Sequence, residues 1–286
     1  MKKLFLLFLL AVFTAVAVRG QEIIALGGYG YNSVDSNNTG DFYFVEGRLM
    51  FGNNFRIGPY ASYVTYGNLR TGANNSLISL LRGEEIKAGL SFDGYGALSY
   101  SHSYYFWLNT GMNWSKDAYQ ESYYKSLAKN NLLFVSGGFV INDDWKGWFG
   151  HNQIMFGYQK PVKSESIASW KDQFVFSTPY NKESLRITLE SGVKRIGGDG
   201  LNFEPILKAG YGYEAGRDKS YYELGGGIGF GVYRDWYREI FKIVIFKRND
   251  FGEEFFSQNS LTPSGRLSGE IVFNATSLVK LLTTKK

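Results

Sequence analysis

Residues 220–233, SYYELGGGIGFGVY, alternate between two kinds of side chain. Apolar and aromatic residues take the even positions from Tyr222 to Val232, with Gly226 among them. Small or polar residues, four of them glycine, take the odd positions from Tyr221 to Tyr233. Because successive side chains of a β-strand point to opposite faces, this pattern predicts a strand with one apolar face and one narrow, polar face.

The same two-residue period recurs along nearly the whole chain. In 84–93, Ile86 and Leu90 share one face while Glu85 and Lys87 share the other. Repeated without a long apolar helix, it predicts an all-β, antiparallel up-and-down transmembrane barrel with lipid outside. Because single-chain barrels have even strand numbers, we expect about 12 strands, or alternatively 14, with the short segment 171–178 the first to be excluded. The predicted strands are 22–32, 41–51, 54–66, 84–93, 97–115, 131–142, 148–160, 171–178, 184–195, 202–214, 220–233, 237–248 and 265–275.

The N-terminus has the features of a secretory signal peptide. Lys2 and Lys3 precede an apolar run that ends near Val18, and small residues follow at Ala17 and Gly20. A run of about 15 apolar residues is shorter than the roughly 20 that a spanning helix needs, which disfavours the alternative of an uncleaved anchor. We therefore predict a signal peptide over 1–20 and one barrel domain over 21–286.

Composition excludes several classes of function. The chain has no cysteine, which removes disulfides, thiolate metal sites and lipid attachment through cysteine. It has only two histidines, so we predict neither a metal nor a cofactor site. Without the three basic residues of the signal, 28 Lys and Arg face 26 Asp and Glu, so we expect no nucleic-acid partner.

Loop lengths and aromatic positions add to the strand pattern. Long predicted loops at 33–40, 67–83, 116–130 and 161–170 alternate with short turns, and Tyr and Trp residues cluster near strand ends. The segment GRLSGEIVFNA (265–275) alternates as a terminal barrel strand does, although the chain continues through 276–286. In these features the chain resembles bacterial outer-membrane β-barrel proteins, without matching the motif of a specific family.

The resemblance implies location and partners. It implies signal-dependent export to the cell outer membrane of a Gram-negative envelope, with outer-membrane lipid and the barrel assembly machinery as partners. Charged residues on the polar strand faces are predicted to line the lumen, either as pore groups or as an ion-pair ladder that fills a closed barrel. These residues are Glu85, Lys87, Arg186, Glu190, Lys194, Glu204, Lys208, Glu223 and Glu270.

We expect a passive, porin-like channel or a structural envelope component, and not an enzyme. The first alternative is a barrel-type lipid hydrolase, for which His102 between Ser101 and Ser103 is the candidate base. Adjacent residues of a strand point to opposite faces, so both serines are predicted to point away from His102, and we assign no catalytic residue. The second alternative is a secreted soluble β-sandwich that acts as a binding protein.

Overall fold

A computed structural model describes the strands and two of the turns. The described residues are 21–35, 38–71, 78–120, 124–143, 149–170, 173–176, 183–193, 196–197, 202–214, 219–231, 239–250 and 267–274. The predicted signal peptide at 1–20 and the tail at 276–286 lie outside them. The strands are β1 (Gln21–Asp35), β2 (Asn38–Gly52), β3 (Phe55–Thr71), β4 (Ile78–Ala97), β5 (His102–Gln120), β6 (Tyr124–Asp143), β7 (Phe149–Trp170), β8 (Gln173–Phe176), β9 (Ser184–Val193), β10 (Ile196–Gly197), β11 (Asn202–Glu214), β12 (Lys219–Gly231), β13 (Glu239–Asp250) and β14 (Leu267–Asn274).

Strand pairing forms a closed antiparallel ring. From β1 to β7 each strand pairs with the next, β7 then pairs with β9, and β9 pairs with β11. Strands β11 to β14 continue in order, and β14 pairs with β1. In the described part of the chain, the twelve strands other than β8 and β10 therefore each have two neighbours. This confirms the predicted all-β up-and-down fold with about 12 strands, and one ring of strands does not make the two packed sheets of a sandwich.

The short strands explain why the sequence pattern predicted an odd number of strands. β8, within the predicted strand 171–178, pairs only with the end of β7, and β10 pairs only with the start of β11. Neither belongs to the ring. The segment 171–178 thus contains a strand, Gln173–Phe176, but this strand has four residues and lies outside the ring, which keeps an even number of strands.

The predicted long loops are in large part strand. β1 and β2 together cover all of 33–40 except residues 36 and 37, and β7 covers all of 161–170. β7 has 22 residues, whereas a tilted strand needs only about 9–11 to cross hydrocarbon. The loop prediction was wrong there because apolar and polar residues stop alternating once both faces leave the bilayer, although backbone pairing continues.

The two rims of the barrel differ. We call the end that contains residue 21 and the turns 53–54 and 98–101 the N-terminal rim, and the other end the distal rim. β3, β4, β5, β6 and β7 each have 17 or more residues, so this wall extends well beyond a bilayer-spanning length. No helix among the described residues is long and apolar enough to cross a membrane.

Large apolar side chains face outward and remain exposed. Alternate positions on β9 show this, because Ile187 and Leu189 are exposed while Thr188 and Glu190 are buried. The same arrangement recurs around the ring, where the exposed large residues include Ile57, Ile86, Leu90, Leu133, Ile154, Phe156, Leu207, Leu224, Ile245 and Ile271. An apolar band of this kind is stable only against another apolar medium, and for a closed barrel that medium is lipid.

Candidate functional site: the polar interior of the barrel

The inward positions of the strands carry polar and charged residues. Alternation along β3, β4 and β5 directs Arg56, Asp93 and Tyr105 inward, where all three are buried. On the other side of the ring, β7, β9 and β11 likewise direct His151, Glu190 and Glu204 inward. Burying a charge is costly unless it is paired, so the contacts between these groups determine whether the interior is stable.

One group of contacts, the arginine network, joins β1 to β5. Both oxygens of Asp93 accept hydrogen bonds from Arg56, at 2.7 Å from Nε and 2.6 Å from Nη2. Arg56 Nη1 also donates to Glu22. Arg48 donates from Nε and Nη2 to Glu46 Oε1, at 3.0 and 2.7 Å. The two donors of Arg56 match the two oxygens of Asp93, which makes this pair the strong, bidentate type, whereas both Arg48 donors share one oxygen of Glu46.

Tyr105 connects the two halves of the arginine network. Its hydroxyl donates to Asp93 Oδ2 at 3.2 Å and accepts from Arg48 Nη1 at 3.3 Å. Arg48 on β2 and Tyr105 on β5 are separated in the ring by two strands, so this hydrogen bond spans the interior. The Tyr105 ring also stacks on Trp107, with centroids 5.5 Å apart. Side chains therefore fill this part of the barrel.

A second group of contacts, the glutamate cluster, consists of His151, Glu190, Glu204, Lys208 and Lys242. Lys242 Nζ donates to both oxygens of Glu190, at 3.1 and 3.2 Å. Glu190 Oε1 lies 3.4 Å from His151 Nε2, and Lys208 is the register partner of Glu190 on β11. His151 Nδ1 lies 3.0 Å from Glu204 Oε1 without hydrogen-bond alignment. Two cations and one histidine thus surround two buried carboxylates.

The glutamate cluster packs against bare backbone at Gly192. A Cβ atom at this position would collide with the Glu204 carboxylate and with His151 Nδ1. Glycine therefore gives the cluster the space it needs on the β9 wall. The inward glycines of β12 likewise leave space, here for the backbone of the next strand, since a Cβ at Gly227 would meet the Ile243 carbonyl oxygen.

The predicted lumen residues fall into several places. Glu190, Glu204 and Lys208 belong to the glutamate cluster, whereas Glu223 pairs with Arg186 at 2.7 Å. Glu85 accepts a hydrogen bond from Asn113 at 3.2 Å, and Lys87 Nζ lies 5.8 Å from the centroid of the Phe134 ring. Two predicted residues cannot be placed in this way: Lys194 is outside the described residues, and only the backbone of Glu270 is described, opposite Val244.

Sequence reasoning missed most of the paired groups. Arg48, Arg56, Tyr105, His151 and Lys242 were not among the predicted lumen residues, although each lies inward. Lys242 lies in a segment that is apolar on both faces in part, so alternation gave no clear face there. Glu46 and Arg48, with the two-residue spacing of one strand face, were a usable signal because opposite charges on one face can pair.

The interior offers little chemistry beyond pairing. No group of three or more His, Cys, Asp or Glu side chains in the described part of the chain is arranged to hold a metal ion. The charged groups within each cluster already contact one another, and the apolar residues Leu132, Val140 and Ile206 are buried on the same inward faces of their strands. The arrangement therefore supports a filled interior.

The prediction for the serines beside His102 is wrong for Ser101. Its Oγ lies 2.9 Å from His102 Nδ1, and Ser99 Oγ lies 3.0 Å from the same nitrogen. Strand alternation fails here because β5 begins only at His102, and the serines belong to the turn before it. Ser103, which is on the strand, is buried while His102 is exposed. The histidine thus lies in an exposed turn at the N-terminal rim.

The fold and its surfaces define a class. A closed antiparallel ring with an apolar exterior and a polar interior is the architecture of outer-membrane β-barrel proteins. The chain has this architecture, and the resemblance seen in the sequence is thereby supported by strand pairing and burial.

Comparisons with known proteins return structures of the same kind. The chain is similar to the β domain of the Bordetella autotransporter BrkA, with 9% identity, a TM-score of 0.46, and 90% of this chain and 99% of that chain covered. It is similar to the translocator domain of the autotransporter NalP from Neisseria meningitidis, with 8% identity, a TM-score of 0.49 and coverage of 96% and 94%. It is also similar to the KdgM porin, with 8% identity, a TM-score of 0.32, and 88% of this chain and 98% of that chain covered. No protein-family model matches the chain, and no curated protein matches it.

Proposed function

We propose that this chain is a closed outer-membrane barrel that acts as a structural or surface component of the envelope, and not as an open passive channel. One observation carries the proposal: charged side chains from strands that are not neighbours pair across the interior. Lys242 on β13 reaches Glu190 on β9 past two intervening strands, and Arg56 on β3 reaches Glu22 on β1 past one.

Burial supports the same proposal. Lumen residues of a water-filled channel are wetted, whereas the Arg56 and Asp93 side chains are 3% and 0% exposed and those of His151 and Glu204 are both 0% exposed. A ring of 12 strands lies between barrels of about 8 strands, which side chains fill, and porins of 16 to 18 strands, which leave an aqueous channel. At this size large side chains can reach past one or two neighbouring strands, as Arg48 does to Tyr105.

Liposomes that contain the folded barrel are expected to show no permeation by small sugars, because paired side chains occupy the interior. The measurement is the swelling rate of liposomes in isotonic sugar, with an open porin reconstituted at the same molar ratio as the positive control. Swelling at a rate comparable with that of the porin would refute the closed-barrel proposal and favour the passive channel.

A lipid hydrolase is the second candidate, since His102 contacts two serine hydroxyls and lies opposite Asp143 in the strand register. Three features weigh against it. Both hydroxyls share the one nitrogen Nδ1, the serines and the histidine lie on an exposed turn, and no partner is described for Nε2. A working triad instead has one nucleophile on one imidazole nitrogen and an orienting group on the other.

Replacement of His102 by alanine is expected to leave any phospholipid or acyl-ester hydrolysis by the purified barrel unchanged. The measurement is release of labelled fatty acid from mixed micelles, with His151→Gln as a comparison for the interior histidine. A specific loss of hydrolysis in His102→Ala, with the barrel still folded, would establish the hydrolase.

Export and assembly complete the proposal. Residues 1–20 act as a cleaved signal peptide, the barrel assembly machinery inserts the chain, and outer-membrane lipid surrounds it. We expect the mature protein to begin near Gln21 or Val18. N-terminal sequencing of protein from the outer-membrane fraction tests this, and recovery of intact Met1 there would contradict it.

A further inference from the structure

Four lysines lie on the outer wall in its distal half. Lys116 on β5, Lys129 on β6, and Lys160 and Lys163 on β7 all have exposed side chains. Each faces outward, because the register places them in line with exposed Trp114 and Leu133 and not with the buried Asn113 and Leu132. We call these four residues the lysine patch; they lie on three consecutive strands of the ring.

The centre of the lysine patch is a pair of like charges. Lys116 and Lys129 are direct cross-strand partners. Side chains in such positions have Cβ atoms about 4.5–5.5 Å apart, and like charges there destabilise the pairing. Glu84 lies opposite Lys116 and Glu165 lies opposite Lys129 in the register. Glu183, which accepts a hydrogen bond from Tyr158, lies beside Lys160, so three acidic residues accompany four lysines. The patch keeps an excess of positive charge that an external anion would neutralise.

The depth of the lysine patch identifies the kind of anion. Trp114, 45% exposed, is the next outward residue of β5 toward the N-terminal rim, and Leu133, 55% exposed, follows Asn131 on β6. Tryptophan concentrates at the level of lipid headgroups, and the apolar band begins immediately beyond it. The ammonium groups of Lys116 and Lys129, one outward position farther toward the distal rim, therefore lie at the level of the phosphates of a membrane lipid whose acyl chains cover the apolar band.

We propose that the lysine patch binds the headgroup of a membrane lipid that carries more than one phosphate. Lysines on three strands, with strands about 4.8 Å apart, are spread more widely than one phosphate. A free phosphate would gain the charge contact alone, whereas a lipid gains both the charge contact and the acyl contact with the band. The proposal requires the barrel to lie in a membrane, but not that its interior is closed.

The test measures lipid retention by the folded barrel in a neutral detergent, using native mass spectrometry. The probes are diphosphoryl lipid A, monophosphoryl lipid A and phosphatidylcholine. We expect the diphosphoryl form to bind most tightly and phosphatidylcholine to bind least. The double variant Lys116→Gln and Lys129→Gln is expected to bind the diphosphoryl form about thirtyfold more weakly, since each cation contributes separately to attraction of an anionic headgroup.

A matched control removes the same net charge at the N-terminal rim. Asn53→Asp with Asn54→Asp alters the exposed turn 53–54 and is expected to change affinity by no more than about twofold, because the rims are several Debye lengths apart. In detergent without anionic lipid, the lysine double variant should be at least as stable as the parent, since a like-charge contact is gone. This stability measurement, made also on the single variant Lys160→Gln, separates a loss of lipid binding from a folding defect.

Two results would overturn the proposal. One is equal retention of all three lipids, or an unchanged affinity in the lysine double variant. The other is displacement of the diphosphoryl lipid by inorganic phosphate at equal phosphate concentration, which would assign the patch to free phosphate. Neither outcome bears on sugar permeation, so failure here is distinguishable from failure of the closed-barrel proposal.

Discussion

Replacement of Asp93 by asparagine is expected to lower the free energy of unfolding of the barrel by about 3–5 kcal/mol, the usual result of removing one partner of a buried ion pair. Asp93 receives two hydrogen bonds from Arg56 and one from Tyr105. The substitution preserves shape, so no cavity forms. It leaves the Arg56 side chain, which is 3% exposed, with Glu22 as its remaining carboxylate partner in the arginine network.

The control for Asp93 is Glu223→Gln. Glu223 also loses its charge and its ion pair, but its partner Arg186 has a side chain that is 44% exposed and can be hydrated. A loss of about 1 kcal/mol or less is expected, as for ion pairs with access to water. Both values come from denaturant titrations of barrels refolded in lipid vesicles. Equal losses in the two variants would mean that water reaches the arginine network, which contradicts the closed interior.

The sequence predicted the fold well because a single physical period controls it. Alternation of apolar and polar residues in 220–233 sets the two faces of β12, and the same period recurs on β4, β9 and β11. The prediction needs no contact between distant residues, only the fact that a strand separates two media. It failed at 161–170 because both faces of β7 are in water there, so the two media are no longer different.

The interior contacts could not be predicted in the same way. Arg56 and Asp93 are 37 residues apart, and Lys242 and Glu190 are 52 apart. Which charges meet depends on the register of every strand between them and on the curvature of the wall, since Lys242 reaches Glu190 past β11 and β12. The alternation in the sequence assigns each charge to one face of its strand, and the pairing of strands in the ring determines which charges meet. The orientation of Ser101 was predicted wrongly for a related reason, because Ser101 lies in a turn and strand alternation does not apply to turn residues.

Replacement of Leu189 by arginine is expected to destabilise the barrel in lipid by about 2–4 kcal/mol, the cost of a cation on the lipid-facing wall near the middle of a bilayer. Leu189 lies in the middle of β9, faces outward and is 55% exposed. In a water-soluble protein, a leucine this exposed could be replaced by arginine at almost no cost. The size of the effect therefore reports which medium covers the wall.

Leu98 provides the matched comparison, since it is also 55% exposed but lies in the turn 98–101 at the N-terminal rim. Leu98→Arg is expected to cost about 0–1 kcal/mol, because the charged head reaches interfacial water. Denaturant titrations in vesicles of one composition give both values. Two small losses would mean that water covers the wall at Leu189, and the apolar band would then be an ordinary exposed surface. A large loss at Leu189 alone places the middle of β9 in hydrocarbon, as the exposed Ile187, Leu207 and Leu224 around it require.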